Sequence, residues 1–257
     1  ADNLRPLREI IAQHGLGARR SLGQHFLLDL NLTRRIVREA GPLDGKTVVE
    51  IGPGPGGLTR ALLESEAKNI VAIERDVRCI EALNALSALY PGRLKIVEAD
   101  AKTMAPAAAA GSGAPFVIVA NLPYNIGTRL LINWLHDLSG IQSMTLMFQK
   151  EVANRFAGIE GSTNYGPLAL LSRIRWQPEI VMTLPPGAFF PRPRVHSAVV
   201  RFKKRTTPLV SQDLEPVFRI IVKTAFQQRR KKIRNAVSEL ASEEMIVRAE
   251  IDPGLRP

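Results

Sequence analysis

Apolar runs at residues 47–51, 69–73, 94–97, 116–120 and 143–148 alternate along the chain with helical stretches around 58–66, 77–89, 128–138 and 151–156. Runs such as Phe116-Val117-Ile118-Val119-Ala120 carry no polar alternation, so they predict buried parallel strands. Strand-helix alternation at this spacing predicts βαβ units and a parallel sheet with helices on both faces. Two further strands are predicted at 179–184 and 197–203, separated by the Pro-rich stretch 185–193. A short amphipathic helix over 4–14 leads into a Gly/Arg-rich loop that runs to Ser21. The Ala/Gly/Ser/Pro-rich stretch 105–115 is expected to be a surface loop without function. Beyond Arg205 the pattern is purely helical, so residues 1–205 are expected to form an α/β domain and residues 206–257 a small all-α domain packed on it.

Charge changes this picture at one end. The 257 residues include 35 Lys+Arg against 24 Asp+Glu, a formal +11 with an isoelectric point near 10.3, which favours a polyanionic partner. Between Arg201 and Arg234 there are eleven basic residues and two acids, Asp213 and Glu215, so this segment holds +9 of the +11. Five basics fall at Arg229, Arg230, Lys231, Lys232 and Arg234, a density whose repulsion calls for a counter-charge. The single cysteine, Cys79, excludes an internal disulfide and fits a reducing compartment, so a cytoplasmic location is expected. His14, His25, His136 and His196 have no metal-ligand spacing, and no metal is expected. No apolar stretch approaches the ~20 residues needed to span a membrane. No surplus apolar surface stands out, so a monomer is expected.

Candidate chemistry clusters at the ends of the predicted strands. Gly52, Gly54 and Gly57 in Val48-Val49-Glu50-Ile51-Gly52-Pro53-Gly54-Pro55-Gly56-Gly57 satisfy G-x-G-x-x-G, the dinucleotide fingerprint. Pro53 and Pro55, however, remove N–H donors that a pyrophosphate would use, and Glu50 suits a cationic aminocarboxyl group better than a phosphate. Glu74 closes the second strand, where a carboxylate can accept from ribose hydroxyls; Asp100 follows the third, where it can accept from an adenine amine. Either acid could equally serve as a helix N-cap. The fourth strand runs into Asn121-Leu122-Pro123-Tyr124. There the Asn121 side-chain oxygen and a carbonyl of Leu122 or Pro123 can accept both N–H bonds of an adenine N6 amine while Tyr124 stacks on the base, although Asn and Pro also suit an ordinary turn. Taken in order, these features read as an S-adenosylmethionine pocket facing an adenine pocket.

On these residues the chain resembles the bacterial small-subunit rRNA adenine N6,N6-dimethyltransferase (KsgA) family, whose relatives include eukaryotic dimethylases and the macrolide-resistance Erm methylases. The likeness runs almost end to end. It includes Gly23-Gln24-His25-Phe26-Leu27, Glu50-Ile51-Gly52-Pro53-Gly54, Asn121-Leu122-Pro123-Tyr124-Asn125-Ile126 and Gln149-Lys150-Glu151-Val152-Ala153-Asn154-Arg155. It continues through Phe190-Pro191-Arg192-Pro193-Arg194-Val195-His196-Ser197-Ala198-Val199 and Ala225-Phe226-Gln227-Gln228-Arg229-Arg230-Lys231-Lys232-Ile233-Arg234-Asn235, and these last two segments favour the KsgA branch over Erm.

The resemblance implies a class I, Rossmann-like methyltransferase fold with a seven-stranded, mostly parallel sheet. It implies S-adenosylmethionine as cofactor and dimethylation of two adjacent adenosines near the 3′ end of 16S rRNA in an immature small ribosomal subunit. Cofactor contacts are implied at His25, where the family more often has Asn, and at Leu27, Gly52, Glu74, Asp100 and Asn121. Asn121, Leu122, Pro123 and Tyr124 would carry the chemistry, with Phe190 on the other face of the base. Arg229, Arg230, Lys231, Lys232 and Arg234 would grip RNA phosphates. Members usually continue a short way past the position of Pro257, so a shortened helical domain is one expectation. Three alternatives stand beside this reading: an Erm-type 23S rRNA methylase, a DNA adenine methylase, and an assembly factor whose binding outweighs its catalysis.

Overall fold

The computed structural model describes residues 4–16, 24–111, 113–136 and 140–257. The Gly/Arg-rich loop from Gly17 to Ser21, Gly23, Ser112 and the last two positions of the helix expected over 128–138 lie outside the described residues. The chain opens with helix α1 (Leu7–Gln13), the two-residue strand β1 (Phe26–Leu27) and helix α2 (Leu30–Glu39). It then alternates through β2 (Thr47–Ile51), α3 (Gly57–Leu63), β3 (Asn69–Glu74), α4 (Val77–Ala88), β4 (Leu94–Glu98), α5 (Pro106–Ala110), β5 (Phe116–Asn121), α6 (Gly127–Trp134) and β6 (Ile141–Gln149). Helices α7 (Lys150–Ala157) and α8 (Pro167–Arg173), strands β7 (Trp176–Leu184), β8 (Phe189–Phe190) and β9 (Ser197–Lys204), and helices α9 (Glu215–Gln227), α10 (Ile233–Ala236) and α11 (Glu243–Arg248) complete it.

Seven strands form one sheet in the order β4-β3-β2-β5-β6-β9-β7. The first five run parallel, and β9 inserts antiparallel between β6 and β7. The unbroken apolar runs have a direct cause, because each strand feeds two cores. Val49, Ile51, Val71, Ile73, Ile118 and Ala120 pack on one face, and Val48, Ile70, Ala72, Val117 and Val119 on the other. Pro178 sits within β7, an edge strand, where the ladder bond it cannot donate is not needed.

Several elements depart from the sequence expectation, among them helix α8, which the sequence reading did not include. Helix α2 is capped by Asp29, whose side chain accepts from the N–H groups of Asn31 and Leu32. The stretch expected to be a loop at 105–115 contains helix α5, begun by Pro106 at its first turn and continued by alanines, with Pro106 and Ala109 buried. A second sheet, absent from the sequence reading, pairs β1 with β8 antiparallel through Phe26–Phe190 and Leu27–Phe189.

The C-terminal helices have a small core of Ala225, Val237 and Ile246. They are joined to the sheet domain by Glu215 at the start of α9, which is buried and accepts from Arg175 (2.7 Å), His136 Nδ1 (2.7 Å) and Arg219 (2.6 Å). Burial alone would raise the Glu215 pKa, but the bonds from Arg219, Arg175 and His136 outweigh it and hold the carboxyl ionised.

Candidate active site at the carboxyl ends of the strands

The parallel strands β2, β3, β4 and β5 release their chains toward one cleft, lined among others by His25, Leu27, Glu50, Gly52, Gly54, Glu74, Asp100, Asn121, Leu122, Pro123 and Tyr124. Every expected catalytic and cofactor residue therefore borders the same space. Phe190 does not line it: half exposed on β8, it precedes Pro191, which does touch the site's edge through its carbonyl.

The glycine loop is built for close approach and spends its N–H groups at residues 52–56 within the protein. Gly52 N–H bonds Ile73 O (2.9 Å) and Gly56 N–H bonds Pro53 O (3.1 Å). Gly54 N–H is taken by Glu74 Oε2 (3.0 Å), and Pro53 and Pro55 have none. Residues 52–56 therefore keep no unspent N–H for a phosphate, whereas the N–H groups of Gly57 and Leu58 at the start of α3 have no acceptor among the described residues, so Pro53, Pro55 and Glu50 are what weigh against the dinucleotide reading of G-x-G-x-x-G. Gly57 is obligatory for packing, since a Cβ there would lie 2.4 Å from the Leu27 carbonyl oxygen.

Glu74 is buried and accepts three backbone N–H bonds, from Gly54, Arg75 (2.8 Å) and Asp76 (2.9 Å). Burial raises its pKa, and the three N–H groups only partly offset this. Three of roughly four acceptor positions are filled, leaving Oε2 able to take one more donor. The cap of α4 is supplied by Asp76 and not by Glu74. Asp100 accepts Lys102 N–H (2.9 Å) on Oδ1, holding the 101–104 turn, and Arg75 Nη1 (2.9 Å) on Oδ2. Desolvation works against its charge, but the bonds from Lys102 and Arg75 prevail and lower its pKa.

Glu50 is the residue whose state most constrains the ligand. It is 1% exposed, and its Oε2 has no hydrogen-bond partner among the described residues. Burial pushes its carboxyl up to about 8; the Thr59 hydroxyl opposes the shift and the Glu74 charge adds to it. A buried acid with an unpartnered oxygen on a ligand cleft fits a cationic group, as the amino end of S-adenosylmethionine would supply. The remaining acceptor positions of Glu74 and Asp100 fit the same cofactor.

At the tip of β5 the Asn121 amide is oriented by its surroundings. Its Nδ2 donates to the His25 carbonyl (2.9 Å), an atom that can only accept, so Oδ1 is the end left for a donor. The two carbonyls that follow differ. Pro123 O already accepts from Ile126 N–H (3.1 Å) and Gly127 N–H (2.9 Å) at the start of α6. No donor among the described residues reaches Leu122 O. Tyr124 is half-buried, with its hydroxyl on Ser197 Oγ and its ring 5.1 Å from that of His25. The His25 ring donates from Nδ1 to Pro191 O (2.7 Å), a second bond fixed by an acceptor-only partner.

The sequence reading did not include Arg75 or Ser197 among its site residues. Arg75 carried a signal, as a cation directly after a strand-end acid; Ser197 carried none, since its partner lies 73 positions away.

The five basic residues lie in the turn between α9 and α10 and at the start of α10, not on a helix face. Arg229 reaches the Ser162 and Thr163 carbonyls (both 3.4 Å) and Arg234 pairs with Glu243 (3.0 Å). Arg230, Lys231 and Lys232 are exposed, and no hydrogen bond or ion pair holds their side chains among the described residues.

The model of the ribosomal RNA adenine dimethylase family matches residues 15–253. The chain is 52% identical over 256 residues to a protein of Chelativorans sp. named ribosomal RNA small subunit methyltransferase A, covering 98% of this chain and 92% of that one. A protein of the same name from Agrobacterium fabrum is 49% identical over 258 residues, 99% of this chain and 93% of its own. Among solved structures, the 23S rRNA methyltransferase ErmE superposes with a TM-score of 0.74 at 26% identity, covering 90% of this chain and 92% of ErmE. A dimethyladenosine transferase from Plasmodium falciparum also scores 0.74, at 25% identity over 91% of this chain and 85% of its own.

Proposed function

The chain belongs to the ribosomal RNA adenine dimethylase family, and from that premise we propose that it dimethylates the N6 amines of two adjacent adenosines near the 3′ end of 16S rRNA, with S-adenosylmethionine as methyl donor. The observation that carries the chemistry is the Asn121 amide, whose NH₂ end is committed to His25 O and whose oxygen is free. When bound, S-adenosylmethionine supplies a methyl carbon whose bond to sulfur breaks as its bond to N6 forms.

The adenine N6 lone pair is delocalised into the ring and is a poor nucleophile. Asn121 Oδ1 and Leu122 O accept its two N–H bonds, directing the pair outward and stabilising the positive charge that develops on nitrogen. Pro123 contributes differently from Leu122: its carbonyl anchors α6, and its lack of an N–H keeps donors away from the base. Tyr124 stacks the extruded adenine, with Phe190 on its exposed strand available to the outer face. No general base is required, because the proton leaves to water after transfer. In the second round one N–H remains, and a single acceptor suffices.

On the cofactor side, Glu50 ionises against the amino group, Glu74 Oε2 accepts from one ribose hydroxyl, and Asp100 accepts from the adenine amine. His25, Leu27 and Gly52 complete the walls. Residues 206–257 serve the RNA, with Arg230, Lys231 and Lys232 as the free phosphate grips and Arg229 and Arg234 as supporting cations. The immature small subunit in the cytoplasm is the substrate particle, consistent with described helices none of which is long and apolar enough to cross a membrane.

The test is methyl transfer from labelled S-adenosylmethionine to small subunits lacking the modification, with nucleosides identified by mass spectrometry. Dimethyladenosine in the small-subunit RNA is expected. Label confined to large-subunit RNA or to DNA overturns the substrate assignment.

A further inference from the structure

We propose that Ser197 and His25 are positioning residues that lock the Tyr124 ring and the Asn121 amide before the target base arrives. This rests on the reading that Tyr124 stacks the base. Ser197 opens β9 and is fully buried beside Ala198, Val199 and Val200, where a hydroxyl without a partner would be costly. Its partner is the Tyr124 hydroxyl. The Tyr124 ring also meets the His25 ring, 5.1 Å away and tilted by 32°. His25 is fixed in turn: Nδ1 donates to Pro191 O (2.7 Å), and its carbonyl accepts from Asn121 Nδ2 (2.9 Å).

These contacts link Asn121, His25, Tyr124 and Ser197 into one chain of bonds around the tip of β5. Its members come from three separate parts of the sequence. His25 precedes β1, Pro191 follows β8, and the pairing of those two short strands brings both to the site. The second sheet is thus a clip for the base-recognition tip. Swinging the Tyr124 side chain about its Cα–Cβ bond breaks the Ser197 bond, and rotation of the Asn121 amide breaks the His25 bond. Neither group therefore needs to be ordered by the substrate. With its Nδ1 spent on Pro191, the His25 ring is held beside the aromatic.

The experiment measures kcat on unmodified small subunits and S-adenosylmethionine affinity by calorimetry for the full-length Ser197→Ala, Tyr124→Phe, the double variant and His25→Ala. Ser197→Ala and Tyr124→Phe should each lower kcat about tenfold, and the double variant no further, because both delete the same bond. His25→Ala should lower kcat as well, and cofactor affinity should stay within about twofold in the other three. Unchanged kcat in Ser197→Ala, or additive losses in the double variant, overturns the role of Ser197. An unchanged kcat at saturating cofactor in His25→Ala overturns that of His25. Tyr124→Ala separates this inference from the reading beneath it. If Tyr124→Ala retains full activity the stacking role fails; if it is inactive while Ser197→Ala is fully active, only the positioning role fails.

Discussion

The cleft at the strand ends and the basic turn between α9 and α10 both meet parts of the substrate system, yet they are built in opposite ways. In the cleft, Glu74 is buried with three backbone N–H bonds and the Asn121 amide has its NH₂ end fixed. In the turn, Arg230, Lys231 and Lys232 are exposed, with no side-chain partner among the described residues. A small cofactor and a single base offer few contacts, so each acceptor must be in place beforehand and the loss of one is severe. A polyanion offers many equivalent phosphates, so cations that stay mobile and unpaired serve better than fixed ones. Commitment within the protein and availability to the partner are traded against each other in the two regions.

Four perturbations sharpen this contrast. The largest effect is expected from Asn121→Ala, which should lower methyl transfer on the order of 10³-fold while cofactor and RNA affinities stay within about twofold. Activity within tenfold of the parent would remove Asn121 from the chemistry. Glu74→Ala should weaken S-adenosylmethionine binding by about 10²-fold, because it deletes an acceptor and frees the Gly54 N–H, Arg75 N–H and Asp76 N–H groups. An unchanged dissociation constant by calorimetry would reduce Glu74 to a loop brace. In the turn, Arg230→Ala, Lys231→Ala and Lys232→Ala combined should flatten the salt dependence of subunit binding by roughly two to three units in log–log slope. Cofactor affinity should not change, and a slope equal to that of the parent would move the RNA grip elsewhere.

The fourth perturbation is pH. Glu50 holds its proton up to about 8, against its ordinary 4.5. Pairing with a cation needs the ionised form, so cofactor affinity should rise with pH by up to about tenfold per unit between roughly pH 6 and 8, then level off. The stability of the cofactor-free protein runs the other way. Its raised pKa gives Glu50 a contribution that is full below about 4.5 and lost as pH climbs toward 8. Glu50→Gln should flatten the affinity profile, and a persistent slope would assign it to another group.

Much of the architecture was legible because buried parallel strands leave unbroken apolar runs, and these placed all seven strands of the main sheet within a few residues. The two-residue strands β1 and β8 have no period to read and exist only because tertiary contact pairs them. Helix α2 was readable in principle from Asp29 and the spacing of Thr33, Ile36 and Val37, and α5 from Pro106 followed by alanines.

At the site, the sequence by itself determined which chemistry is present at each strand end, since a strand's last residues face the cleft whatever the surrounding packing. The absence of N–H groups at Pro53 and Pro55 is likewise a covalent property of the chain. Only the tertiary structure decided how those groups are spent. That the Pro123 carbonyl is occupied and that of Leu122 is not, that Glu74 has room for one more donor, and that Glu50 is pushed to about 8 all depend on neighbours distant in sequence. Hydrogen-bond capacity and dielectric surroundings belong to the packed assembly of segments, and no single segment encodes them.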